Sequence, residues 1–179
     1  MSERETPPRT VISDAMRAAI GSEMGRAVSF PISESDIRKW AIAVYYPEEP
    51  PRLFWDEAYA ARTVHGGIVA PEEFNPFGWM NAIPAGLPPS SEFRNDPDRT
   101  ERTLGIPGPG LKFQLNGGLE VDYGVRMRPG DRITSVTRLS GYREREGRLG
   151  LMLFTSSEST WTNQDDEVVK RSTGTVIRY

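Results

Sequence analysis

Residues Asp56 to Phe74 read DEAYAARTVHGGIVAPEEF, and the way the chain turns inside them decides what can be built around them. The only histidine of the protein, His65, stands here, followed at once by Gly66 and Gly67. Two adjacent glycines remove both Cβ atoms, so the backbone can take positive φ and come close to a ligand. Pro71 suits a first helical turn, where its missing N–H is no loss, and Glu72 and Glu73 suit the positive end of a helix dipole. The spacing therefore predicts a helix from Pro71 that carries Phe77, Trp79, Met80 and Ile83 as far as Pro84. The free N–H groups of such a helix start, with the Gly-Gly backbone, would form an electrophilic pocket for a carbonyl oxygen or an anion. The competing reading is a strand-to-helix turn without chemistry.

Upstream, Asp56 is placed to cap a short helix over Glu57 to Arg62. Pro47-Glu48-Glu49-Pro50-Pro51 is a stiff loop, because its prolines remove donors and restrict φ. Ser33 to Tyr46 is the clearest helix. Ser33 or Ser35 caps it, Glu34 and Asp36 occupy the first turn, and Ile37, Trp40, Ala41, Val44 and Tyr45 recur at helical spacing. Arg26 to Ile32 (RAVSFPI) reads as a first strand, and Ser13-Asp14 caps a short helix that stops at Gly21. Residues 1–12, with Pro7-Pro8, read as a loose lead-in to one domain over residues 13–179.

Downstream, residues 85–110 are rich in Pro, Gly, Ser and Asp and too long for a simple connection, with one turn of helix expected over Asp98 to Leu104. From Leu111 the period changes to two. Leu111–Met127, Asp131–Glu144, Arg148–Thr162 and Glu167–Tyr179 have strand character and are separated by short turn signals, which predicts antiparallel neighbours in a meander. The fold class is α+β, one central helix against a curved antiparallel sheet.

A chain of 179 residues is long enough for one domain with a sizeable core. Its mean hydropathy of -0.52 is polar, but four Trp, six Tyr and seven Phe supply large apolar groups. Net charge is -3, with 22 basic and 25 acidic residues dispersed along the chain, so nucleic acid is a poor partner. The absence of cysteine excludes disulfides, thiolate zinc sites and cysteine nucleophiles, and fits a reducing compartment. No run approaches the ~18 apolar residues of a membrane helix, and a cytoplasmic location is expected. One His without Cys gives no transition-metal set. Nucleotide-loop glycine motifs and a G-x-S-x-G elbow are absent, and no cofactor is expected.

VHGGIVAP within Asp56 to Pro71, LNGG (Leu115 to Gly118), RPGD (Arg128 to Asp131), the Glu146 to Gly150 turn and the terminal TNQ…TVIRY follow one another in an order that resembles the MaoC dehydratase N-terminal domain family. These are also called FAS1-type dehydratase-like domains. The resemblance implies a single hotdog fold, a long central helix wrapped by a curved antiparallel sheet. It further implies acyl-CoA or acyl-carrier-protein thioester ligands, (R)-specific hydration of an enoyl thioester or its reverse, and pairing of two hotdogs, either within one chain or between a catalytic and a non-catalytic subunit. For this chain a homodimer or a heteromer with a catalytic hotdog subunit is expected.

Hydratases of this superfamily carry a motif resembling GD-x-NP-x-H whose Asp and His hold water and move protons. With Asp56 as anchor, Phe54 stands where the His belongs, Glu49 near the Asp position, and Pro51-Arg52 where Asn-Pro would be. Phe cannot transfer a proton. Glu49 and His65 remain the only catalytic candidates, each also readable as ordinary: an exposed Glu in a Pro-rich loop, and a His bonded to backbone. Gly66 and Gly67 are candidates for polarising a thioester carbonyl, and Phe54, Trp55 and Trp79 for lining an acyl pocket. Asp131 in RPGD reads as a turn-fixing residue. The reading that follows is a non-catalytic or accessory subunit of an enoyl-CoA hydratase or 3-hydroxyacyl-thioester dehydratase. Its alternatives are a self-sufficient homodimeric hydratase and a thioester-binding module without turnover.

Overall fold

The computed structural model describes residues 10–78, 96–148 and 150–179. Strands β1 (Glu23–Val28), β2 (Gln114–Tyr123), β3 (Thr134–Gly147), β4 (Gly150–Thr162) and β5 (Val168–Arg178) form one antiparallel sheet in the order β1-β3-β4-β5-β2. The consecutive strands β3, β4 and β5 are the expected meander. β2 departs from it. It pairs with β5 on the far side, not with β3, its neighbour in sequence. The connection from Tyr123 to Thr134 therefore crosses the end of the sheet, and β1 takes the free edge of β3.

The helices are short. α1 (Asp14–Ala18) is capped by Ser13, whose hydroxyl accepts from the Met16 N–H. α2 (Glu34–Tyr45) starts at Ser33 in a full capping box with Asp36, so two N–H groups at the helix start are satisfied reciprocally. Its Ile37 and Ala41 are fully buried in a core cluster with Phe54, Ala60, Met127, Ile133 and Val169. α3 (Glu57–Ala60) follows a single 3-10 turn at Arg52–Phe54, and Asp56 caps it. α4 is Arg99–Thr103.

The helix expected to begin at Pro71 does not form. Phe74 N–H donates to the Pro71 carbonyl at 3.0 Å and the chain then turns again. Pro76 accounts for this, since it steers Asn75 away from helical backbone angles. Trp79 and the remainder of the expected helix lie outside the described residues, as do residues 85–95 of the long loop. Among the described residues α2 is the one helix longer than five, and the expected long central helix is not among them.

Residues 96–110 are anchored. Glu101 on α4 is fully buried and meets Arg178 on β5 in a bidentate pair, both oxygens at 2.7 Å. Arg178 also donates to Thr155 Oγ1 and the Pro97 carbonyl, and Tyr142 donates to Glu101. Ile12, placed by sequence in the lead-in, is buried beside Met16 and Leu153, and its N–H and that of Val11 donate to Glu144. In LNGG, a Cβ on Gly117 would meet the Ile177 and Thr175 side chains at 2.9–3.0 Å, so β2 can lie this close to β5 only with glycine there.

Candidate functional site

The Gly-Gly turn is built from the end of α3 inward. Thr63 Oγ1 donates to the Ala60 carbonyl at 2.7 Å and accepts the His65 N–H at 3.2 Å, while the Gly66 N–H donates to the Thr63 carbonyl at 3.0 Å. Gly66 has φ of +65°, which a side chain would strain. Ile68, Val69 and Ala70 then enter the core, and Ala70 N–H donates to the Met127 carbonyl at 2.8 Å. Of the two glycine amides, that of Gly66 is committed to the turn. The Gly67 N–H has no intramolecular partner among the described residues.

RPGD faces this turn. Asp131 N–H donates to the Arg128 carbonyl and Gly130 has φ of +92°, as a turn with Pro at its second and Gly at its third position requires. The Asp131 carboxylate accepts the Arg128 N–H at 2.7 Å and Gln164 Nε2 at 3.0 Å. Gln164 belongs to the TNQ run, whose buried Asn163 folds its own turn by accepting the Asp165 and Glu167 N–H groups. The Arg128 guanidinium donates to the His65 carbonyl at 2.8 Å. His65, Arg126, Arg128, Asn163 and Gln164 line a cleft of ≈ 490 Å³. Arg126 and Arg128 were not singled out in the sequence. The signal was there: they flank apolar Met127, and period-two alternation puts both on the face opposite to it.

Glu49 stands elsewhere. It is exposed and lines a separate cleft of ≈ 700 Å³ with Glu34, Arg38, Ile42, Trp55 and Asp56. Trp55 forms a wall there, fixed by its indole N–H donating to the Pro50 carbonyl at 2.9 Å. Asp56 is held below the usual carboxylate range, first by its hydrogen bond from Arg52 and then by the Tyr59 N–H it caps. With four carboxylates against one Arg38, this cleft is ill suited to a polyanionic carrier. Glu49 and His65 thus open into different clefts and form no acid–base pair. Phe54 lies in the core at 5% exposure, its ring 6.1 Å from that of Tyr45.

Three further features bear on the site. Trp40, Phe74 and Asn75 border an apolar hollow of ≈ 350 Å³, with Trp40 edge-on to Phe74 at 5.7 Å. Lys170 Nζ sits 4.2 Å over the Trp161 ring, and burial pushes its amine down. Tyr123 donates to Glu73; burial first, then that bond, push its phenol up to about 12. Among the described residues no cluster has the composition to hold a metal ion, and no helix is long and apolar enough to cross a membrane.

A family model described as the FAS1-like, dehydratase domain region matches residues 18–172. Comparison with curated proteins finds no match. Among solved structures, the chain is similar to the ChsH1-ChsH2 complex from Mycobacterium tuberculosis, at 18% identity over 92% of this chain and 88% of that one, with a TM-score of 0.64. It is also similar to a MaoC-like dehydratase from Rhodospirillum rubrum, at 22% identity over 90% and 92%, TM-score 0.53. A third is the C-terminally truncated HadBC (3R-hydroxyacyl-ACP dehydratase) complex from Mycobacterium tuberculosis, at 18% identity over 88% and 99%, TM-score 0.52. At these identities the structural likeness shows the fold.

Proposed function

The chain belongs to the FAS1-like dehydratase domain region family, a hotdog family of MaoC type, and on that premise we propose that it is the non-catalytic hotdog subunit of an (R)-specific enoyl-CoA hydratase or 3-hydroxyacyl-thioester dehydratase. The observation that carries this reading is the place of Phe54. Where the superfamily motif needs an imidazole, this chain has a phenyl ring buried against Tyr45, and its two other candidate groups are in separate clefts. Addition of water to an enoyl thioester needs a base and an acid beside one carbon–carbon double bond. This chain supplies neither in reach of the other, so a partner brings both. What it contributes is shape: the apolar hollow at Trp40 and Phe74 for the acyl group, and the open Gly67 N–H for the thioester carbonyl. That two of the similar structures are complexes of two named components supports a heteromer.

The partner is seated on β2. Among the described residues neither edge of the sheet is paired, but β1 is short and exposes the Glu23–Arg26 ion pair, devices that discourage strand addition. β2 is longer and exposes Leu115 and Leu119 at 50% and 66%. Such an edge is a template for another chain.

The test is crotonyl-CoA hydration by the protein alone and by its complex with a co-expressed hotdog subunit carrying the Asp/His motif. Turnover only in the complex is expected, unchanged by Glu49→Gln or His65→Ala. Turnover by the protein alone that either substitution abolishes would establish the self-sufficient hydratase instead. No turnover in either sample, with acyl-CoA binding retained, would leave a thioester-binding module.

A further inference from the structure

The sequence Arg143-Glu144-Arg145-Glu146 alternates in sign, and on β3 the alternation sorts charge by face. Glu144 points to the inner face, where it accepts the Val11 and Ile12 N–H groups. Arg143 and Arg145 are on the outer face and exposed. In register with Arg143 across the sheet are Phe154, Ile177 and Leu115, one row over four strands, and Arg143 lies 4.9 Å over the Phe154 ring. Just beyond this row, Phe113 and Tyr179 exchange backbone hydrogen bonds and stack at 5.5 Å, with Phe113 60% exposed.

Among the described residues the rest of this outer face is mainly polar, with exposed Val28 standing apart from the corner. Its more central rows carry Arg138, Glu158, Thr173 and Glu120, then Arg26, Val136, Thr160 and Arg171. Among the described residues this corner alone joins contiguous apolar side chains to a rim of one sign, and Arg148 in the next turn adds to that rim. An apolar patch on a solvent-facing sheet surface is the mark of an interaction site. Guanidinium groups at its border select acidic side chains, with which they form bidentate contacts. The patch also runs into the open β2 edge through Leu115 and Phe113.

We propose that this corner is a docking surface for a protein segment carrying acidic side chains beside apolar ones, and that the segment belongs to the subunit seated on β2. The inference rests on the heteromeric reading above and extends the contact from the strand edge over the outer face. The apolar row anchors the segment, and Arg143 and Arg145 set its orientation and the rate of encounter. The whole chain is acidic, so this local basic rim discriminates between partners where net charge does not.

The experiment uses the purified complex with the co-expressed catalytic hotdog. Its dissociation constant is measured at low and high salt for the native protein, Arg143→Glu/Arg145→Glu and, as control, Arg171→Glu, a single charge reversal on a more central row of the same face. The double reversal is expected to weaken the complex about tenfold or more at low salt, an effect that shrinks at high salt, with Arg171→Glu near native. A circular-dichroism melt checks that the double variant folds. A complex that forms with unchanged affinity in the double variant overturns the docking surface and leaves the heteromer standing. If no complex forms, both readings fall, and two further measurements say what the corner serves. Loss of self-association in the double variant would assign it to a second copy. Loss of binding to phosphatidylserine/phosphatidylcholine vesicles would assign it to an anionic lipid surface.

Discussion

The two ends of the inner face treat polar groups in opposite ways. At the α4 end, Glu101 and Arg178 are the most deeply buried charges of the described residues, and nearly every polar atom around them is used internally. One Arg178 nitrogen, Nε, is buried without a partner. At the Gly-Gly end, His65, Arg126 and Arg128 border a cleft open to solvent, and the Gly67 N–H has no intramolecular partner among the described residues. The difference teaches that a concentration of charge does not mark a functional site. A network closed on itself holds a loop in place; a set of donors left open can receive a ligand.

The sharpest way to break that comparison is to remove one member from each end. Glu101→Ala strips the buried Arg178 charge of its bidentate partner and leaves it, of carboxylates among the described residues, only Asp98 at 3.5 Å, and a loss of about 3–5 kcal/mol in urea unfolding is expected. His65→Ala removes no intramolecular side-chain bond seen in the structure, and its stability should stay within about 0.5 kcal/mol of native. Equal effects at both ends would erase the distinction. Replacing both Glu101 and Arg178 by apolar residues of similar volume should recover most of the loss, because a buried pair gains little over good apolar packing.

The next effect concerns Phe54. Phe54→Ala should cost about 3–5 kcal/mol, as expected for emptying a filled core position. Phe54→His sharpens the point. If the position is core and not catalytic wall, restoring the motif residue destabilises the fold and gives no hydration of crotonyl-CoA by the protein alone. Measurable turnover by that variant would show that position 54 reaches substrate.

Much of this arrangement was legible where short-range chemistry decides it. Ser33, Ser13 and Asp56 announced the starts of α2, α1 and α3, because capping is settled within three residues. The turns between β3, β4 and β5 fixed the meander for the same reason. What stayed hidden depends on partners distant in sequence. The β2–β5 pairing joins residues as far apart as Gln114 and Arg178, and no local signal sets it against the nearer β3. Glu101 read as one more charge in a polar loop, and only Arg178, 77 positions on, puts it inside. The helix at Pro71 failed for a local reason that was visible, Pro76, but outweighed by the cap-like Pro-Glu-Glu start. In the candidate site, the Gly-Gly turn was found from its glycines; that Glu49 and His65 open into separate clefts required the fold.

A smaller effect tests the capping box. Ser33→Ala removes the acceptor for the Asp36 N–H, and with it one half of the reciprocal pair at the start of α2. A loss of about 1 kcal/mol in thermal or urea unfolding is expected, well below that of Glu101→Ala. A loss equal to that of the buried pair would mean that α2 is held chiefly by its cap and not by Ile37 and Ala41.

The smallest expected effect is alkaline and belongs to the Gly-Gly end. The Tyr123 phenol is pushed from 10.0 up to about 12 by burial and by its bond to Glu73, so the folded protein holds this proton more tightly than the unfolded chain. For a raised pKa the stabilisation is complete below the unfolded value and is lost as pH rises through the folded one. Stability should therefore fall between pH 10.0 and about 12. Tyr142, pushed up by burial and by Glu101, titrates in the same sense, so Tyr123→Phe should make the fall shallower without removing it. Chemical denaturation at a series of alkaline pH values reads both slopes. An unchanged slope in Tyr123→Phe would mean that the phenol is not held by Glu73 in solution, and that the segment after Pro71 is fastened to the sheet by Phe77 against Trp161 instead.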